Sequence, residues 1–159
     1  MARIADRLAE LGLALPAVAT PAGAYVPAVR TGSYVYTAGQ LPFVDGRLPA
    51  TGKVGDASGL VDPAAAKEMA ATCALNALAA AASVLDSLDD VVRVVKVTGF
   101  VASDPAFSGQ PGVINGASEL LGDVFGDAGV HARSAVGVAV LPLDSPVEVE
   151  IVLEVRPAD

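Results

Sequence analysis

Val147-Glu148-Val149-Glu150-Ile151-Val152-Leu153-Glu154-Val155 alternates aliphatic side chains with glutamates almost without a break. A period of two places Val147, Val149, Ile151, Leu153 and Val155 on one face of a β-strand and the glutamates on the other. One face belongs to a core and the other meets water or polar partners, which describes a sheet covered on one side. Just before it, Ser134, Val136, Val138 and Val140 alternate with Ala135, Gly137 and Ala139 and predict another strand. Leu141 to Pro146 reads as a hairpin link between the two.

Further back, Asp62-Pro63 supplies an N-cap and a proline at the first helical position, and an alanine-rich run of high helix propensity reaches Leu85. Met69, Cys73, Ala77, Ala80 and Val84 form its apolar stripe. Val91 to Val101 is β-branched and predicts a strand. Pro111 to Phe125 follows as a helix carrying Val113, Ala117, Leu120, Leu121 and Val124, with Gly126 past its end. Upstream, Tyr25 to Arg30 and Tyr34 to Ala38 flank Thr31-Gly32-Ser33 as a hairpin. Gly39 to Leu60 holds so many glycines and prolines that it reads as a long loop. Ile4, Leu8 and Leu11 give residues 2 to 13 the period of a short amphipathic helix. The order of elements predicts an α+β sandwich: a mixed sheet with its two main helices on one face, plus an extra N-terminal helix. No repeat or low-complexity linker divides the chain, so residues 1–159 are expected to form a single domain.

Hydrophobic residues make up 53% of the 159 and charged residues 18%, which excludes intrinsic disorder. No run reaches the roughly 18 apolar residues of a membrane span, so the surplus is expected in a core or between subunits. A net charge of −8 repels a phosphate backbone, and nucleic-acid binding is disfavoured. One cysteine and one histidine exclude an intrachain disulfide and a Cys/His zinc site within one chain. Arg3, Asp6, Arg7 and Glu10 interrupt any signal-peptide core, and with the unpaired thiol this favours the cytoplasm.

Among short motifs, Gly46 to Lys53 fails as a phosphate loop because Val54 stands where a magnesium-binding hydroxyl belongs. Gly109-Gln110-Pro111-Gly112 lacks the basic neighbours of an RNA-clamping loop and reads as a turn entering a helix. Cys73 lies on an apolar stripe and reads as a small buried residue. His131 either tunes a site or caps a turn. Arg133 begins a strand, where an arginine is usually a solvated or salt-bridged surface residue.

Gly23-Ala24-Tyr25, Thr37-Ala38-Gly39-Gln40-Leu41-Pro42, and His131-Ala132-Arg133-Ser134-Ala135-Val136 followed by Leu141-Pro142 and Val147 to Glu150 stand in a recognisable order and spacing. With Asn115 near the start of the second main helix, they resemble the RidA/YjgF family from about Gly23 to Val155. The resemblance implies the bacillus chorismate-mutase-like α+β sandwich, assembled as a homotrimer with clefts between subunits. It also implies hydrolytic deamination of reactive 2-imino or 2-enamino acids to 2-keto acids and ammonia, with no metal or organic cofactor. Arg133 would hold the substrate carboxylate and Glu148 would orient water or relay protons. Tyr25, Gly39 and Asn115 would complete substrate binding, with Tyr25 closing the cleft from a neighbouring subunit. Three departures bear on the substrate: Ala38 replaces a serine, Ala24 a proline and Ala135 a cysteine common in the deaminase branch. A trimeric module that binds small carboxylates without turnover is the alternative implied, and the endoribonuclease or translation-inhibitor label used within the family is a third.

Overall fold

The computed structural model describes residues 3–21 and 23–157. The elements run α1 (Arg3–Glu10), β1 (Ala28–Thr31), β2 (Tyr34–Thr37), α2 (Pro63–Ala82), β3 (Val91–Ala102), α3 (Gln110–Phe125), β4 (Ala132–Val138) and β5 (Val147–Val155). Five strands form one sheet in the order β1-β2-β5-β3-β4, antiparallel throughout except that β3 and β4 run parallel. This is the mixed α+β sheet the sequence predicts, with α2 and α3 on one face.

One expectation is overturned. The Leu141 to Pro146 segment is no hairpin link, because β3 lies between β4 and β5. Helix α3 connects β3 to β4 and carries the chain back to the end at which β3 began, so the two strands pair in parallel. The following segment then crosses to the far side of β3 through a short 3-10 turn, Pro142–Asp144, in which Leu143 and Asp144 both adopt positive φ. Boundaries also move: β4, expected over Ser134 to Val140, spans Ala132–Val138, and β2 ends at Thr37 rather than Ala38. Strand β1 begins at Ala28 rather than Tyr25, and α2 stops at Ala82, where the Ser83 hydroxyl donates to Ala80 O at 2.7 Å. Helix α1 ends at Glu10, with Gly12 at φ +70°; Ala2, where the expected helix begins, lies outside the described residues.

The core follows from the alternation in β5. Val147, Val149, Ile151 and Leu153 are buried with Val94, Val97 and Val101 of β3 beneath Ala70, Ala74, Ala77 and Leu78 of α2 and Ile114, Ala117 and Leu121 of α3. Each large aliphatic side chain so buried stabilises the fold by about 1.5–3 kcal/mol before entropy is charged against it. Small residues bring the layers close: a Cβ on Gly116 of α3 would stand 1.9 Å from Lys67 O of α2, and one on Gly99 of β3 would stand 2.4 Å from Ile114. The Asp62 carboxylate caps α2 by accepting from Ala64 N at 2.7 Å. Cys73 is buried as expected, and burial, followed by the charge of Glu148, pushes its thiol well above the ordinary value.

The opposite sheet face carries no helix among the described residues. Val29, Tyr36 and Val136 lie on it 50%, 48% and 43% exposed, an apolar surface left open beside the glutamates of β5. No helix among the described residues is long and apolar enough to cross a membrane.

Candidate functional site

Register decides where each candidate side chain points. Arg133 stands opposite Val97, a core residue beneath the helices, so its side chain leaves the helix-covered face at the edge of the sheet. There it meets α3. Arg133 Nη1 donates to Asn115 Oδ1 at 2.8 Å and to Ser118 Oγ at 3.2 Å, and Nη2 donates to Pro111 O at 3.2 Å. A guanidinium has five N–H donors, and these contacts use three. Nε–H and one Nη2–H make no hydrogen bond to the described residues, so the side chain is held with donors to spare. A recess of about 300 Å³ lies alongside, lined by Ser118, Gly129, His131 and Arg133.

Glu148 stands opposite Phe100, one face away from Val97, and points to the helix-free side of the sheet. Its carboxylate lies against Gly39: a Cβ on that glycine would fall 1.8 Å from Glu148 Oε1. The close approach is fixed by reciprocal backbone bonds between Gln40 and Val149, 2.8 and 3.0 Å. Asn76 of α2 reinforces it by donating to Leu41 O at 2.9 Å and Phe43 O at 3.1 Å, which ties the long loop to the core. Gly39 N–H donates to no described backbone or side-chain acceptor. Burial first, and the Glu150 charge second, raise the Glu148 carboxyl above the usual glutamate range. A cavity of about 400 Å³ opens here, with Tyr25, Leu41, Phe43 and Leu143 as walls around Gly39 and Glu148. Its lining is mostly apolar, Thr20, Gln40 and Tyr25 add polar side chains, and Glu148 is its one carboxylate.

The five sequence-derived residues thus separate into two groups. Arg133 and Asn115 come together, as do Tyr25, Gly39 and Glu148, but the two groups occupy different faces of the sheet within one chain. Among the described residues no cluster of three or more His, Cys, Asp and Glu side chains is placed to hold a metal ion. A groove of about 520 Å³ over the outer surfaces of α2 and α3 is larger than the recess at Arg133, but its ionic groups include the mutually paired Lys67 and Glu119. Ser118 is the site residue that sequence reading missed. Its spacing of three from Asn115 marks a shared helix face, but its contacts to His131 and Arg133 exist only in the folded chain. One ring nitrogen of His131 meets Gly129 O in the turn before β4, and the other meets Ser118 Oγ.

Comparison with known proteins extends over nearly the whole chain. A family model described as "YjgF/chorismate_mutase-like, putative endoribonuclease" matches residues 5–155. Protein TCP17 of Trypanosoma cruzi is 44% identical over 155 residues, 97% of this chain and 95% of that protein. Among solved structures, Atu1372 from Agrobacterium tumefaciens is 42% identical with a TM-score of 0.85, covering 97% of this chain and 93% of its own. A Shewanella oneidensis protein, titled a "putative endoribonuclease", is 30% identical with a TM-score of 0.90, covering 96% and 99%.

Proposed function

Because the chain belongs to the YjgF/chorismate-mutase-like family, we propose that it hydrolyses reactive 2-imino and 2-enamino acids to 2-keto acids and ammonia. It does so as a cytoplasmic homotrimer. Each cleft joins Arg133 of one subunit to Glu148 of the next, which brings the two half-sites of the single chain into one. The observation that carries this reading is Arg133. Three hydrogen bonds to α3 hold its guanidinium while leaving donors for a planar acceptor, the arrangement that suits a carboxylate.

In the reaction, protonation of the imine nitrogen makes C2 electrophilic, water adds there, and the carbinolamine releases ammonia as its hydroxyl oxygen becomes the keto oxygen. Arg133 fixes the substrate carboxylate, so C2 is presented in one orientation. Glu148 sits at the opposite wall; its raised affinity for a proton suits it to take one from the attacking water and return one to the departing nitrogen. Gly39 N–H, which has no described acceptor, binds an oxygen of the substrate or intermediate, and Asn115 keeps Arg133 in place. Tyr25 and Phe43 wall the cleft from the Glu148 side. Such imines already hydrolyse in water, so positioning rather than a powerful nucleophile accounts for acceleration. The open apolar sheet face at Val29, Tyr36 and Val136 supports burial between subunits.

The test is the decay of freshly generated 2-aminoacrylate. Acceleration by the wild-type protein that is lost in Arg133→Ala supports the reading; no acceleration, or full acceleration by Arg133→Ala, removes it. Ala38 and Ala135, which replace a hydroxyl and a thiol, favour a second reading in which the same clefts bind carboxylates without turnover. Calorimetric binding of 2-oxobutyrate without accelerated decay would select it. A net charge of −8 argues against a ribonuclease.

A further inference from the structure

We propose that Ser118 and His131 form a proton-operated hydrogen-bond donor beside Arg133, so that the recess binds carboxylates more tightly when the imidazole is charged. The inference rests on the reading of Arg133 as the carboxylate anchor and adds a control to it.

The geometry fixes the protons. Gly129 O can only accept, so His131 Nδ1, 2.5 Å away, carries a hydrogen. In the neutral ring Nε2 is then bare, and Ser118 Oγ donates to it at 2.9 Å. The same Oγ accepts from Arg133 Nη1 at 3.2 Å. The single hydroxyl hydrogen is therefore spent on the imidazole.

When His131 gains a proton, Nε2–H must donate, and Ser118 Oγ is its acceptor. Both Oγ lone pairs are now occupied, one by His131 and one by Arg133, and the hydroxyl hydrogen turns elsewhere. Ser118, His131 and Arg133 all line the recess, so the released hydrogen is available to a ligand held by the guanidinium. A charge-assisted bond to a carboxylate is gained in the same step that adds a positive charge two residues from Arg133.

The charged groups on the surrounding elements leave room for this. Arg93 of β3 donates to Val130 O at 3.4 Å, and Glu119 of α3 is paired with Lys67. Asp123 of α3 and Asp127 of the Gly126–Gly129 turn lie on the same two elements, Arg133 shares Ser118 Oγ with the imidazole, and no carboxylate is among the residues lining the recess. An incoming organic acid supplies the counter-charge the imidazolium lacks. A histidine that only capped the turn would need its Nδ1 contact alone; the Nε2–Ser118–Arg133 chain is what makes it a switch.

The chain has one histidine, so a single imidazole Cε1–H resonance reports on His131. Its NMR titration is recorded with and without saturating 2-oxobutyrate for wild type, Ser118→Ala and Arg133→Ala. In wild type the ligand is expected to raise the midpoint by about one pH unit, the counterpart of about tenfold tighter binding by the charged form. Ser118→Ala is expected to bind 2-oxobutyrate but lose most of that shift. A wild-type midpoint that does not move while binding still depends on Arg133, or a full shift in Ser118→Ala, overturns this inference and leaves the proposed function standing. Absence of binding, or binding undiminished in Arg133→Ala, overturns both.

Discussion

Arg133 and Glu148 point to opposite faces of one sheet: Arg133 stands opposite Val97 and Glu148 opposite Phe100, and these two β3 residues face opposite ways. No rotamer change within a single chain brings a guanidinium and a carboxylate together through a hydrogen-bonded sheet. Two residues that are to share a substrate from these positions must come from different copies. The separation therefore turns the assignment of Arg133 and Glu148 to one reaction into a statement about assembly.

Gly39→Ala separates function from folding. The added Cβ would meet Glu148 Oε1 at 1.8 Å, and the yielding atoms are the end of a flexible side chain rather than backbone. Stability is expected to fall by less than about 1 kcal/mol, since the carboxylate can swing away. Activity is expected to fall at least about tenfold, because the displaced group is the proposed proton carrier. Denaturant unfolding and the rate of 2-aminoacrylate decay on the same sample check both halves.

Glu148→Gln alters the pH dependence of stability. The folded carboxyl titrates above 4.5, its ordinary value, through burial and then Glu150. Between that value and the raised one, the folded chain holds more protons than the unfolded chain. Stability contributed by this group is therefore full below about pH 4.5 and is lost as pH rises through the folded pKa. The difference between wild-type and Glu148→Gln unfolding free energies, measured across pH 4 to 8, is expected to favour the variant increasingly toward neutrality. A pH-independent difference would contradict this.

Gly116→Ala tests the layer packing. Here the added Cβ meets Lys67 O, a backbone atom, at 1.9 Å, so α2 and α3 must move apart over the sheet. A loss of about 1–3 kcal/mol is expected, read as a lower denaturant midpoint. Substitution at the exposed Gly112 of α3, where an added Cβ meets nothing within 4 Å, is the comparison and should leave the midpoint close to that of wild type or above it.

The elements that the sequence makes legible are those whose burial matches a simple period. Strand β5 is the clearest case: Val147, Val149, Ile151, Leu153 and Val155 are all buried, and the glutamates between them are not. The Leu141 to Pro146 link is the counterexample. Pro142 and Asp144 mark a turn, but turn residues do not say whether the chain returns to its neighbour or crosses another strand. The long-range clue was α3, since a helix between two strands permits parallel pairing of β3 with β4 and leaves β5 to find another partner. For the site, Arg133, Asn115, Tyr25, Gly39 and Glu148 were legible through family resemblance, while their division between two faces depends on register across β3. Ser118 escaped because its role exists only where α3, His131 and Arg133 converge.

The most direct test of a shared cleft is complementation between two defective proteins. Arg133→Ala and Glu148→Gln chains are unfolded together in equal amounts, refolded as mixed oligomers, and assayed for decay of 2-aminoacrylate. Random assembly makes about one cleft in four carry both intact residues, so the mixture is predicted to recover roughly a quarter of the wild-type rate while each parent alone stays inactive. A mixture that contains mixed oligomers and is no more active than its parents would contradict the account.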